Sequence, residues 1–261
     1  MGVRSPLFTR ARLGRLAAVV ALLGCALALW QFVASLPGVD DLTLASPGET
    51  WDALVRDRDL LASEAVITLQ EVVLGLALAV LVGVSGAVAM HLWRPLRDAA
   101  YPLLVASQAI PLVVLAPIFV LAFDYGIGPK LAIVALICFF PIAVNVADGL
   151  RAVDPDLVKL VRTLGADRWL ALWRVELPSA LPYFFSGLRV AASVAVIGAV
   201  FGEWAGADRG LGRLVLLANN QLETARVYAG VVVLAAMAVA LFGAVAAAER
   251  VFCPWRREVA R

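Results

Sequence analysis

Long apolar runs separated by short polar segments set the pattern of this chain. They cover residues 16–35, 65–91, 99–123, 131–147, 181–202 and 227–251, the first reading LAAVVALLGCALALWQFV from Leu16 to Val33. At a rise of about 1.5 Å per residue, about 20 such residues cross the hydrocarbon core of a bilayer. The pattern therefore predicts an all-α integral membrane protein of about six transmembrane helices in a single domain, 1–261. Pro102, Pro111 and Pro117 in the third run predict kinks, because an internal proline deletes a backbone hydrogen bond and crowds the preceding turn. Gly75, Gly83, Ser85, Gly86 and Ala87 in the second run are small enough to let helix backbones approach closely. The Pro/Gly- and acid-rich stretch Leu36–Ser63 reads as a loop, and FDYGIGPK (123–130) as a tight turn. Residues 203–226 mix polar residues with LVLLA, a run too short to cross. They predict an outer-face loop with a short helix at the membrane surface.

One polar stretch stands out between the fourth and fifth runs: DPDLVKLVRTLGADRWLALWRVELP, residues 154–178. Asp154 can cap a helix whose first residue is Pro155. Leu157, Leu160, Val161 and Leu164 then share one helical face, away from Lys159 and Arg162. Gly165 and Ala166 interrupt the helix, and Asp167 can cap a second one carrying Trp169, Leu170, Leu172 and Trp173 beside Arg168 and Arg174. Leu177 and Pro178 end the unit. Such a helix–turn–helix with exposed apolar groups fits either a helix lying on lipid headgroups or a knob inserted in the groove of a soluble partner.

Charge placement orients the runs. With the N-terminus inside, the inner segments carry Arg4, Arg10, Arg12, Arg15, Arg94, Arg97, Arg151, Lys159, Arg162, Arg168, Arg174, Arg250, Arg256, Arg257 and Arg261. The outer segments carry only Arg56, Arg58, Lys130, Arg209, Arg213 and Arg226. The excess of inner Lys/Arg predicts an N-in, C-in protein, with 154–178 on the inner side. The first run also fits a signal peptide, with its basic n-region and the small residues Ala34 and Ser35. Its removal would leave an odd number of spans and no basic anchor before the second, so it reads as a retained span.

Composition agrees: 62% of residues are hydrophobic, only 16% are charged, and mean hydropathy is +0.90. The net charge of +2 comes without a basic block, so nucleic acid is not an expected partner. Cys25, Cys138 and Cys253 are dispersed and His91 is the only histidine, which argues against a metal site. There is no phosphate loop of the G-x-x-x-x-G-K-[ST] kind, no G-x-S-x-G and no H-E-x-x-H, so neither ATP binding of that kind nor hydrolytic catalysis is expected of this chain. The polar residues in or beside the runs are Gln70, Glu71, Gln108, Asn145, Arg189 and Glu203. Glu71, Gln108, Asn145 and Glu203 are the candidate pathway-lining residues. For Glu71 and Glu203 an outer vestibule and an interfacial, snorkelling position both fit. Arg189 reads as anchored at headgroups or paired with an acid.

The spacing Gly165-x9-Val175-x-Leu177-Pro178 resembles the EAA motif, E-A-A-x3-G-x9-I-x-L-P, of permease subunits of binding-protein-dependent ABC importers, with Lys159-Leu160-Val161 in place of E-A-A. TLQEVVLG, QAIPLVVLAPIFVLAFDYGIGPK, FFPIAVNVADGLRAVDPDL, SGLRVA and EWAGADRGLG extend the resemblance from about Thr68 to Pro254. They look like the branch that carries nitrate, sulfonates, taurine or hydroxymethylpyrimidine thiamine precursors; TLQEV, EWAGADRGLG and ANNQLET look closest to the pyrimidine type. The resemblance implies a type I importer permease in the bacterial cytoplasmic membrane, paired with a second copy, with no cofactor of its own. Two ATPase subunits would bind the ATP and receive the coupling segment, namely Asp154, Leu157, Leu160, Val161, Leu164, Gly165, Ala166, Trp169, Trp173, Leu177 and Pro178. An extracytoplasmic solute-binding protein would deliver the solute. The competing reading is a secondary transporter or channel working alone; a membrane enzyme or assembly factor lacks catalytic groups.

Overall fold

The computed structural model describes residues 6–38, 40, 43–108 and 110–255. Arg4, Arg256, Arg257 and Arg261, and the side chains of Arg10, Arg12 and Arg15, lie outside the described residues. Every regular element described is helical: α1 (Pro6–Ala34), α2 (Pro47–Arg56), α3 (Arg58–Leu92), α4 (Arg94–Ser107), α5 (Leu112–Phe123), α6 (Ile127–Arg151), α7 (Pro155–Thr163), α8 (Arg168–Ala171), a π-helical turn (Leu172–Glu176), α9 (Leu177–Gly206), α10 (Leu211–Asn220) and α11 (Thr224–Phe252). Among the described residues, five stretches are long and apolar enough to cross a membrane: Ala17–Ala34, Arg58–Leu92, Ile127–Arg151, Arg168–Gly206 and Thr224–Phe252.

The third apolar run departs from a kinked single helix. It forms two helices, α4 and α5, parted at 108–111. Pro102 and Pro117 are accommodated inside their helices. Pro111 instead stands at the N-cap of α5 in extended geometry; it has no N–H to give, and a proline disfavours helix in the residue before it. The stretch read as the loop Leu36–Ser63 also holds structure, namely α2 and the first turn of α3. A capping box starts α2: Glu49 N–H donates to Ser46 Oγ at 3.2 Å, and Ser46 N–H donates to Glu49 Oε2 at 2.7 Å.

The chain divides into two compact units, Met1–Asp59 with Val215–Val231 and Leu60–Leu214 with Val232–Arg261. In the first, Trp30 Nε1 donates to the Ala45 carbonyl at 3.0 Å and its ring stacks on Tyr228 at 5.6 Å. Arg226 Nε donates to Asp57 Oδ2 at 2.8 Å, and Arg226 also reaches Glu223. The Arg226 hydrogen bond holds the Asp57 carboxyl below the usual carboxylate range, against burial that pushes the other way, with Arg56 adding to the effect. A depressed carboxyl contributes stability above its unfolded pKa, and the contribution is lost as pH falls through the folded value. Asp57→Asn is therefore expected to lower the melting temperature at neutral pH, by about 1 kcal/mol worth of stability. The gap from wild type should close as pH falls below the ordinary carboxylate range, as read by tryptophan fluorescence melts across pH. A gap independent of pH would show that the charge is not what matters.

The second unit is a bundle set by small residues. Cβ atoms built on Gly75 and Gly83 of α3 would lie 2.5 Å from Val134 Cβ and 3.0 Å from Ile142 Cγ2 of α6. Lys130 meets Glu71 at the same separation of 59 positions, so α3 and α6 run parallel in constant register. Ala79 and Ala87, fully buried, continue the same four-residue ridge of α3. Against α6, α9 runs the other way: Gly187 meets the Pro141 carbonyl, Gly198 meets Val134 and Gly202 meets Lys130. Close backbone approach, rather than exclusion of water, is what favours such packing inside lipid. Returning along α9, α11 pairs Phe252 with Phe185 and Glu249 with Arg189. The C-terminal ends of α3, α6 and α11 and the start of α9 thus share one end of the bundle, and the starts of α3 and α6 share the other with the end of α9.

Candidate functional site

At the first of these ends the 154–178 stretch folds as a helix–turn–helix. Asp154 Oδ1 accepts the Asp156 N–H at 2.8 Å and Pro155 opens α7. α7 closes with Ala166 N–H donating to the Val161 carbonyl at 3.2 Å and Gly165 N–H to the Arg162 carbonyl at 3.1 Å. This is the paired C-terminal cap that requires a left-handed residue, and Gly165 supplies it at φ +93°. Asp167 Oδ1 then accepts the Leu170 N–H at 2.7 Å and starts α8. Both caps fall where the sequence placed them.

The apolar side chains on this unit point outward. Leu157, Leu160, Leu164, Trp169, Leu170 and Trp173 are exposed, Leu164 to 79%, and Val161 and Ala166 are half-buried. Leu172 and Ala171 instead anchor the unit in the bundle core, where Leu172 joins Met90, Leu150 and Ala180. Leu177 is half-buried at the first turn of α9, and Pro178 is exposed. The segment thus presents two tryptophans and several leucines on an otherwise polar stretch. The α3 end is tied to it: His91 Nε2 lies 2.7 Å from Glu176 Oε2, and Arg168 donates to the Leu92 carbonyl. Neither link was expected from sequence.

At the opposite end lies a buried polar network. Thr68, Glu203 and Glu71 are 0%, 0% and 2% exposed. Glu203 accepts from the Thr68 hydroxyl at 2.6 Å and from the Arg213 N–H at 3.0 Å. Thr68 Oγ accepts the Leu211 N–H at 2.8 Å, and Glu64 accepts the Gly210 N–H at 2.5 Å and the Arg209 guanidinium at 2.9 Å. The first N–H groups of α10 are thereby satisfied by side chains of α3 and α9. Lys130 Nζ donates to Glu71 Oε1 at 2.5 Å.

Glu71 and Glu203, expected to line an outer vestibule or to sit at the interface, are both buried within this chain. Each has a polar partner on a neighbouring helix, Lys130 for Glu71 and Thr68 for Glu203. Gln108 is exposed in the α4–α5 break, and Asn145 is half-buried with its Nδ2 donating to the Pro141 carbonyl at 2.8 Å. Of the four candidate pathway residues, Glu71 and Glu203 thus meet in the buried network, while Gln108 and Asn145 lie elsewhere. Arg189 is paired as expected, with Glu249 at 3.2 Å. Lys130, counted among the outer charges, is buried in its ion pair. Glu64, Thr68 and Glu71 recur at i, i+4 and i+7, a polar stripe that the sequence did contain.

Among the described residues no cluster of His, Cys, Asp and Glu is arranged to hold a metal ion. The family described as binding-protein-dependent transport system inner membrane component matches residues 72–252. The chain is 41% identical to the formylaminopyrimidine transport permease protein ThiX of Halalkalibacterium halodurans, over 73% of this chain and 76% of that protein. It is 30% identical to the taurine transport system permease protein TauC of Escherichia coli K12, over 92% and 90%. The fold is similar to a chain in the crystal structure of an amino acid ABC transporter with histidines, at TM-score 0.57 and 19% identity, over 79% and 97%.

Proposed function

This chain belongs to the family of binding-protein-dependent transport system inner membrane components, and from that premise we infer how it works as the permease subunit of an ABC importer in the bacterial plasma membrane. Two copies form the pathway, closed two-fold assembly being the commonest arrangement of identical subunits. Two ATPase subunits bind and hydrolyse the ATP, and a solute-binding protein delivers solute from outside. Of the apolar runs, the four that cross besides α1 and α11 carry the chain back and forth so that both termini lie inside, with α4 and α5 together making one crossing.

The observation that carries this reading is the capped, outward-facing helix–turn–helix at 154–178, whose exposed leucines and tryptophans fit a groove in the ATPase. The Lys/Arg excess at the same end supports a cytoplasmic position. With Lys159-Leu160-Val161 in place of an acidic motif, apolar contact supplies the grip, and closure of the ATPases swings the bundle as a rigid body. The higher identity to the formylaminopyrimidine permease than to the taurine permease supports a pyrimidine-type solute over a sulfonate, nitrate or taurine.

A photo-crosslinking residue at Leu164 is expected to capture an ATPase subunit in membranes of the native host, and the purified complex to hydrolyse ATP. Solute movement by the chain alone in liposomes, driven by an ion gradient, would instead establish a stand-alone carrier.

A further inference from the structure

The second docking helix joins α9 through a π-helical turn, Leu172–Glu176. Such a turn carries one extra residue per loop and interrupts the regular helical ladder, so it is a natural place for a helix to yield. A push delivered to α8 would be absorbed there as bending unless α8 were fixed to something else. The segment from α8 through the π-helical turn is fixed at both ends. Arg168, the first residue of α8, donates to the Leu92 carbonyl, and Glu176, the last of the π-helical turn, meets His91 Nε2 at 2.7 Å. Both partners are adjacent residues at the C-terminal end of α3. Glu176 is 13% and His91 26% exposed at the side chain, so the pair is partly shielded and stronger than an open surface contact. The carbonyl of Leu92 is one of the orphan acceptors at a helix end, where a cation is favoured.

We propose that His91 and Glu176, with Arg168 on the Leu92 carbonyl, form a strap that stiffens the π-helical turn and passes motion of the docking helix to α3 as well as α9. These are positioning residues for coupling. The inference rests on the importer reading above. Over the length from His91 to Leu60, α3 would then carry the displacement about 45 Å to the opposite end of the bundle.

The test uses the full complex of permease and ATPase subunits in nanodiscs, with a spin label on Leu60→Cys in each copy, at the exposed far end of α3. In the otherwise wild-type complex, ATP with vanadate should shift the label-to-label distance distribution. His91→Ala and Glu176→Ala should each reduce that shift by more than half, with little further loss when combined. ATPase association and basal ATP hydrolysis should stay within twofold of wild type. The reversed pair, His91→Glu with Glu176→His, should restore the shift, which a merely structural loss would not. A full shift in the alanine variants, or loss of ATPase association with no rescue by the reversed pair, overturns the strap. No shift in the wild-type complex would count against the importer reading itself.

Discussion

Gly165→Val is expected to cut solute uptake by about tenfold or more while the protein still inserts and unfolds normally. Gly165 stands at φ +93°, and a Cβ there would meet nothing within 4 Å. The penalty is therefore purely conformational, about 1–3 kcal/mol for a side chain held in left-handed backbone, and highest for a β-branched residue. A chain relieving that strain opens the turn between α7 and α8 and swings Leu164 away from Trp169 and Trp173, splitting the patch offered to the ATPase. Because the turn is exposed, the bundle core does not register the change. The expected order of uptake is Gly, then Asn, then Ala, then Val, since Asn tolerates the left-handed region best among the three. Uptake in cells, alongside ATPase co-purification for each variant, checks it. Full uptake and normal association in the valine variant would show that the turn geometry is not used.

The helix–turn–helix at 154–178 was legible because its signals are local. A proline at N1, two aspartate caps and a glycine directly after the last apolar residue of a face depend on neighbours in sequence alone. The membrane-spanning stretches were legible for the same reason, apolar length. What escaped was decided by long-range partners. Glu71 and Glu203 look alike in sequence whether they face water or each other's helices. Only the parallel register of α3 on α6 brings Lys130 under Glu71, and only the turn at 207–210 brings the start of α10 onto Glu203. His91, read merely as a reason to discount metal, acquires its role from a residue far along the chain, Glu176. Pro111 differed from Pro102 and Pro117 in outcome though not in local pattern. The EWAGADRGLG and TLQEV landmarks, which carried the family resemblance, turn out to share one buried network.

Gly210→Ala is expected to be the most destabilising small substitution at that network. Gly210 sits at φ +125°, and an added Cβ would lie 2.2 Å from Glu203 Cδ and 2.3 Å from its Oε1, well inside contact distance. Relief cannot come from Glu203, which is fully buried and held by the Thr68 hydroxyl and the Arg213 N–H. Displacing it strands a buried carboxylate and removes partners from the first turn of α10, at about 1–3 kcal/mol for each unsatisfied group, and the left-handed backbone adds about 1–3 kcal/mol. The sum, on the order of 3–6 kcal/mol, corresponds to a fall in melting temperature of roughly 10 °C or more for a chain of this size. Removing the carboxylate relieves the clash but not the orphaned N–H groups, so Glu203→Ala with Gly210→Ala should be less damaging than the two single losses added together. Fluorescence melts of the singles and the double in detergent measure both quantities. A Gly210→Ala melt within 2 °C of wild type, or strict additivity, would mean that α10 is not held by Glu203.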